Sequence, residues 1–192
     1  IAYVVVRSRV RGRQVLDFLA MLPLAVPGLV LAFGYLAMAQ DGKLFSFLNP
    51  TRDPTLLLII AYSVRRLPYV VRSAAAGFQQ TSETLEEAAQ NLGAPPLRAV
   101  FRATLPLILA NVIAGGLLAF AFAMLEVSDS LILAQKQAFY PITKAIMELF
   151  QLLGDGKFLA SALGVWAMAF LGVTILGMTL LLGKKLGALF RV

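Results

Sequence analysis

The chain has 192 residues, 59% of them hydrophobic and 14% charged, with a formal net charge of +7. Soluble domains carry about 25% charged residues, so an ordinary water-soluble globule is excluded and an all-α integral membrane protein is expected. There is no cysteine and no histidine, which excludes disulfides, thiol catalysis and the usual Cys or His metal sites; no metal ligands are assigned.

In chain order, Ile1–Val6 is apolar and reads as the tail of an earlier membrane helix. The chain is therefore expected to be a fragment, or the C-terminal half, of a longer protein, with residues 1–192 forming a single transmembrane domain. Phe18 to Ala39 is an uncharged run of 22 residues containing Pro23 and Pro27. A bilayer core of ~30 Å needs about 20 apolar residues, and membrane helices tolerate proline better than soluble ones. Thr55–Val64 is too short to span alone. Extended through Arg65-Arg66-Leu67-Pro68 to about Phe78 it suffices, with two arginines deep in the span. Leu105 to Leu125, 21 residues, and Phe158 to Gly183, 26 residues, bring the total to about four full spans.

Charge placement sets an orientation. Arg7, Arg9, Arg11 and Arg13 precede the first span, and Lys184, Lys185 and Arg191 follow the last, both without acids nearby. The central loop adds Arg72, Arg98 and Arg102, whereas the other connections are balanced: Asp41, Lys43, Arg52 and Asp53 in one, and mixed lysines and acids from Glu126 to Lys157 in the other. Positive charge marks the cytoplasmic side, so both ends and the central loop are expected there. The cations beside membrane spans read as topology signals rather than as a nucleic-acid surface.

The central loop, residues 81–106, has its own chemistry. Thr81, Ser82 and Thr84 are candidate N-caps, and Thr84 with Glu87 has capping-box spacing. Leu85, Ala88, Ala89 and Leu92 recur at helical spacing as one face. Gly93 suits a helix C′ position with positive φ, and Pro95 or Pro96 suits the first turn of a second helix. Leu97, Val100, Phe101 and Thr104 then line one face up to Leu105-Pro106. Two short helices joined by a tight glycine turn are predicted, either docking a partner helix-in-groove through Glu87 and the small Ala88 and Ala89, or lying on the membrane surface.

Glu87-Ala88-Ala89, three residues, Gly93, eleven residues and Leu105-Pro106 match a spaced pattern with a chance of about 10⁻⁷ per window. The pattern resembles the cytoplasmic EAA loop of permeases in binding-protein-dependent ABC importers. The resemblance covers nearly the whole chain. Arg11–Leu31, with Leu22-Pro23 and Val26-Pro27-Gly28, is similar to the first core helix of type I permeases. Tyr140–Ile146 is similar to their Pro-containing segment, and Gly154-Asp155-Gly156 to the step into their last helix. The turn Glu126-Val127-Ser128-Asp129-Ser130 departs from the family's commoner Gly-Glu-Phe-Gly. The resemblance implies a type I permease core with two short cytoplasmic coupling helices, in which Glu87, Ala88, Ala89, Gly93, Leu105 and Pro106 couple to a separate ATPase. It further implies a multi-pass protein of the bacterial inner membrane. Its partners would be a cytoplasmic ABC ATPase, an extracytoplasmic substrate-binding protein, a second permease half or second copy, and lipid, with no nucleic acid. The chain holds no Walker A pattern, so it is not expected to hydrolyse ATP; no cofactor is expected in this chain, and ATP and Mg²⁺ would sit on the ATPase. Tyr62–Ser73 and Tyr140–Ile146 look most like ferric-iron permeases; sulfate, phosphonate, polyamine and thiamine permeases are alternatives.

Candidates for a substrate path are polar groups at apolar depth, where a charge costs about 2.5–3.5 kcal/mol on insertion scales. Arg65 and Arg66 either line the path or pair with an acid such as Asp129, or they snorkel to headgroups. Asn111 suits interhelical bonding better than substrate contact. Glu126, Ser128, Asp129 and Ser130 offer hard oxygens suited to cations including Fe³⁺, or solvate a helix end. Gly115-Gly116 invites close packing. Other classes are a membrane-embedded enzyme, against which the scatter of Asp, Glu and Ser argues, and a non-transporting anchor or assembly subunit.

Overall fold

The computed structural model describes residues 1–189, with side chains described to residue 180. The basic tail at Lys184, Lys185 and Arg191 lies outside those described side chains. The regular elements are all helical: α1 (Ala2–Arg7), α2 (Arg13–Ala25), α3 (Gly28–Met38), α4 (Thr55–Gln80), α5 (Thr84–Asn91), α6 (Pro96–Ala99), α7 (Leu105–Met124), α8 (Ser128–Leu133), α9 (Ile142–Gln151) and α10 (Gly156–Leu189), with short 3₁₀ turns between.

Two described helical runs, Pro96–Met124 and Gly156–Leu180, are long and apolar enough to cross a membrane; a third is reached if α2 and α3 count as one bent span. α4 has the length, at 26 residues, but Arg65, Arg66 and Arg72 make it less apolar. The run Phe18–Ala39, expected as a span, is thus broken into two helices at Pro27. Pro27 caps α3 in an extended conformation, φ −55° and ψ 136°, and a residue before proline, here Val26, is pushed away from the helical region. Pro23 and Pro68 lie inside their helices without ending them.

The chain divides into two compact units, one of Ile1–Pro23 with Leu67–Ala119, the other of Leu24–Arg66 with the residues from Phe120 onward. In the first, Val71, Ala75 and Phe78 of α4 bury against Ile108 of α7 and Ala2 of α1, with Tyr3, Val6, Met21 and Leu105 packed around them. Tyr3 meets Phe78 edge to face at 5.5 Å. Arg72 pairs with Asp17 at 3.1 Å. α7 approaches α4 closely at Gly115, where a Cβ would lie 2.7 Å from the Ser73 Cβ.

In the second unit, Leu57, Leu58 and Ala61 of α4 pack with Ala39, Leu48, Leu133 and Ala134. Asp53 Oδ1 accepts the Thr55 N–H at 2.9 Å and starts α4. Pro141 caps α9, and Gly154, at φ 74°, turns the chain into α10. Gly156 is required there, because a Cβ would lie 2.4 Å from the Leu149 carbonyl oxygen. Among the described residues, most large apolar side chains of α10, including Phe158, Val165, Trp166, Met168 and Val173, are exposed, which suits a lipid-facing helix.

Candidate functional site

Two polar clusters stand out, one in each unit. The first is the 81–106 loop. Ser82 Oγ accepts the Thr84 N–H at 3.3 Å, and Glu83 is the N-cap of α5 without a side-chain cap bond. Thr84 therefore stands inside the helix with its hydroxyl 2.8 Å from Ser82 Oγ. The expected Thr84–Glu87 capping box is corrected accordingly: Ser82, two residues earlier, takes the capping role. α5 ends as predicted at Gly93, φ 90°. The Gly93 N–H donates to Gln90 O at 2.9 Å and the Ala94 N–H to Ala89 O at 3.0 Å, the Schellman arrangement. Pro95 caps α6 and Pro96 opens it.

The second loop helix is not a separate element. Val100–Thr104 is a π turn that carries α6 into α7, so Pro96–Met124 is one helical run. Pro106 has no N–H to return to the preceding turn, and its ring crowds the carbonyl four residues back. The wide turn just before it accommodates that conflict. The widening also divides the face predicted for Leu97, Val100, Phe101 and Thr104: Leu97 and Phe101 are 75% and 63% exposed, whereas Thr104 is fully buried. On α5, Leu85, Glu87, Ala88 and Leu92 point outward, Leu92 being 91% exposed. Ala89 and Leu105 are half-buried and Pro106 is exposed.

The inward side of the loop is held by residues that sequence reasoning missed. Glu86 is buried; its carboxylate accepts the Thr104 hydroxyl at 2.7 Å and the Tyr3 hydroxyl at 3.2 Å. Arg7 lies 3.1 Å from Glu83 and 3.9 Å from Glu86, and donates to Thr81 O. The available signal was the Glu86-Glu87 pair itself. Neighbours on a helix differ by about 100°, so the two acids point to different sides.

The second cluster joins α4, the turn after α7, and α8. Glu126 is 4% exposed. Its Oε2 takes both arginines, Arg65 Nε at 3.2 Å and Arg66 Nη2 in close contact. Its Oε1 accepts the Ser128 N–H at 3.0 Å, placing negative charge at the start of α8. The Glu126 backbone oxygen accepts from Ser130 Oγ at 2.8 Å and Thr143 Oγ1 at 2.5 Å. Tyr62 and Ser130 hydroxyls stand 2.5 Å apart. Asp129 is fully buried, and among the described residues its carboxyl oxygens have no hydrogen-bond partner. The expected pairing of Arg65 or Arg66 with Asp129 is therefore corrected to Glu126, which also caps α8. Gly28 admits Arg65: a Cβ there would lie 2.4 Å from Nη2.

The structure thus brings together Arg65, Arg66, Glu126, Ser128 and Asp129. Asn111 belongs to the first unit, where it packs on Gly77 and its backbone oxygen accepts from Ser73. Lys144, another residue sequence reasoning missed, is buried with Nζ donating to Ala134 O at 2.6 Å and Leu131 O at 3.1 Å, the open carbonyl end of α8. Two guanidiniums and two carboxyls share this largely buried cluster, with both arginines paired to Glu126.

The family described as "Binding-protein-dependent transport system inner membrane component" matches residues 1–185. Ferric transport system permease protein FbpB of Actinobacillus pleuropneumoniae is 32% identical over 128 residues, covering 67% of this chain and 18% of that protein. Molybdate/tungstate transport system permease protein WtpB of Pyrococcus abyssi is 29% identical over 147 residues, 77% of this chain and 54% of its own. Probable sulfate transport system permease protein cysT of Chlorokybus atmophyticus is 30% identical over 200 aligned residues, 100% of this chain and 64% of its own. The chain spans between 18% and 64% of these relatives' lengths. With the family matched along nearly all of an all-helical, apolar chain, the protein belongs to the inner-membrane permease components of binding-protein-dependent ABC importers.

Proposed function

We propose that this chain forms part of the substrate pathway of an ATP-driven importer and couples to a separate cytoplasmic ATPase through residues 81–106. One observation carries the coupling reading. The loop's inner side is fastened by Glu86 and Thr104, while Leu85, Leu92, Leu97 and Phe101 are left exposed beside the exposed Glu87. Apolar side chains displayed around a charge on a fastened helix suit an amphipathic helix entering a partner's groove. The chain is a permease part and not itself the ATPase; ATP and Mg²⁺ belong to the partner. A second half or second copy completes the pathway, and an extracytoplasmic binding protein delivers the cargo.

The cargoes named for the relatives are ferric, molybdate or tungstate, and sulfate, so the cargo class is a small inorganic ion. Ferric iron is the first reading, carried by the likeness of Tyr62–Ser73 and Tyr140–Ile146 to ferric permeases. Calorimetry of the partner binding protein with ferric complexes, molybdate and sulfate decides it; tight binding of an oxyanion alone overturns iron.

Coupling is tested in the reconstituted transporter. Leu92→Asp and Glu87→Arg should lower substrate-stimulated ATP hydrolysis at least about tenfold, and Leu92→Asp should release the ATPase on purification. Unchanged stimulation in both variants sinks the coupling reading.

A further inference from the structure

We propose that Arg7 and Glu86 are positioning residues for coupling: they clamp α1 to the 81–106 loop, so that the loop moves with α1 and not independently of it. The proposal rests on the docking reading above. Arg7, the last residue of α1, reaches the loop at three points. Arg7 donates to the Thr81 carbonyl, pairs with Glu83 at 3.1 Å and stands 3.9 Å from Glu86. The side chains of Arg7 and Glu86 are 8% and 7% exposed, that of Glu83 61%. Glu86 therefore carries the buried half of the clamp.

The Glu86 carboxylate also collects one hydroxyl from each side: Tyr3 from α1 at 3.2 Å and Thr104 from the π turn at 2.7 Å. A single group thus ties together α1, α5 and the run that becomes α7. Tyr3 adds its edge-to-face contact with Phe78 of α4. A groove of about 260 Å³ lined by Tyr3, Arg7, Glu83, Glu86, Glu87 and Gln90 opens beside this junction, so the clamp stands at the margin of the exposed face without forming that face. Charges this desolvated hold their geometry, because separating them leaves one ion buried without a partner. A push on Leu92 or Phe101 then reaches α1 and α4 through bonds instead of dissipating in a loose loop.

The test uses the assembled transporter in lipid vesicles with Arg7→Gln, Glu86→Gln and their double variant. The ATPase should co-purify with all three. Basal hydrolysis should stay within about twofold, while stimulation by loaded binding protein falls at least about tenfold, the double variant being no worse than either single. Arg7→Lys, which keeps the charge, should recover part of the stimulation. In the otherwise wild-type chain, which has no cysteine, spin labels at introduced cysteines replacing Val5 and Gln90 should report one narrow distance with and without ATP. That distance should broaden in Glu86→Gln.

Full stimulation in the variants, or a wild-type label distance that changes between nucleotide states, overturns the clamp. Loss of the ATPase from Arg7→Gln overturns it as well, because Arg7 would then belong to the docking surface. If Leu92→Asp releases the ATPase while Arg7→Gln keeps full stimulation, only the clamp fails. If Leu92→Asp changes nothing, the docking reading itself fails.

Discussion

At the scale of single residues, Asp129 is the side chain whose environment is least favourable to its charge. It lies outside the two runs apolar enough to cross the membrane. Burial first, and the Glu126 charge second, push its carboxyl up to about 6, against the pull of Arg65 and Arg66. Tyr35 and Tyr62 also face it. The unfolded carboxyl titrates near 3.9. A folded value above that stabilises the protein most below about pH 3.9, and this contribution is lost as pH rises through about 6. Asp129→Asn should therefore gain stability over the wild type between about pH 4 and 7, by up to roughly 3 kcal/mol, in thermal unfolding of the detergent-solubilised protein. A constant difference across that range contradicts the buried, unpartnered carboxyl. Arg65 and Arg66 were legible in the sequence because charges inside an apolar run are conspicuous, and Glu126 and Asp129 because they follow the end of one. Their pairing was not, since which acid meets the guanidiniums depends on how α8 folds back. Glu86 went unseen beside Glu87 because composition is blind to which of two neighbours turns inward.

At the scale of elements, glycines and prolines decide where helices may approach, turn or widen. Gly115 and Gly116 are adjacent on α7, but only Gly115 faces α4. A Cβ there would lie 2.7 Å from Ser73 Cβ and 3.0 Å from the Val70 Cα, whereas at Gly116 it would meet nothing within 4 Å. Gly115→Val should cost at least about 1–3 kcal/mol, and Gly116→Val less than about 0.5 kcal/mol, read as unfolding midpoints in detergent. Equal effects contradict the close α4–α7 approach. Turn chemistry was readable at Gly93 and Pro95-Pro96, and the family resemblance marked Gly154-Asp155-Gly156; all stand at helix boundaries. Proline within helices was not. Pro23 and Pro68 are absorbed, Pro27 breaks the chain, and Pro106 follows a π turn. One residue type gave three outcomes because each depends on whether neighbouring groups re-satisfy the freed carbonyl.

At the scale of the molecule, an exposed apolar α10 and a cation-rich first segment belong to a protein whose solvent is partly lipid. The proposed orientation puts Arg9, Arg11 and the 81–106 loop in the cytoplasm and the Asp41–Pro50 connection outside. Because the chain has no cysteine, single cysteines at positions 11, 44 and 90 are clean reporters. A membrane-impermeant maleimide added to intact cells should label position 44 and spare 11 and 90 until the membrane is opened. Labelling of position 90 in intact cells reverses the assignment.

The division of labour on α5 has a consequence for what mutation can change. Glu86 is the inward fixed point and Gly93 the outward stop, so the span between them acts as a gauge length. An extra or missing residue inside it would rotate Ala88 and Leu92 by about 100° against the anchored end, hiding the face that should be shown. Substitution at the outward positions alters chemistry one side chain at a time, whereas a change of length alters all of them at once. The recognisable quantity in such a segment is therefore its spacing more than its letters.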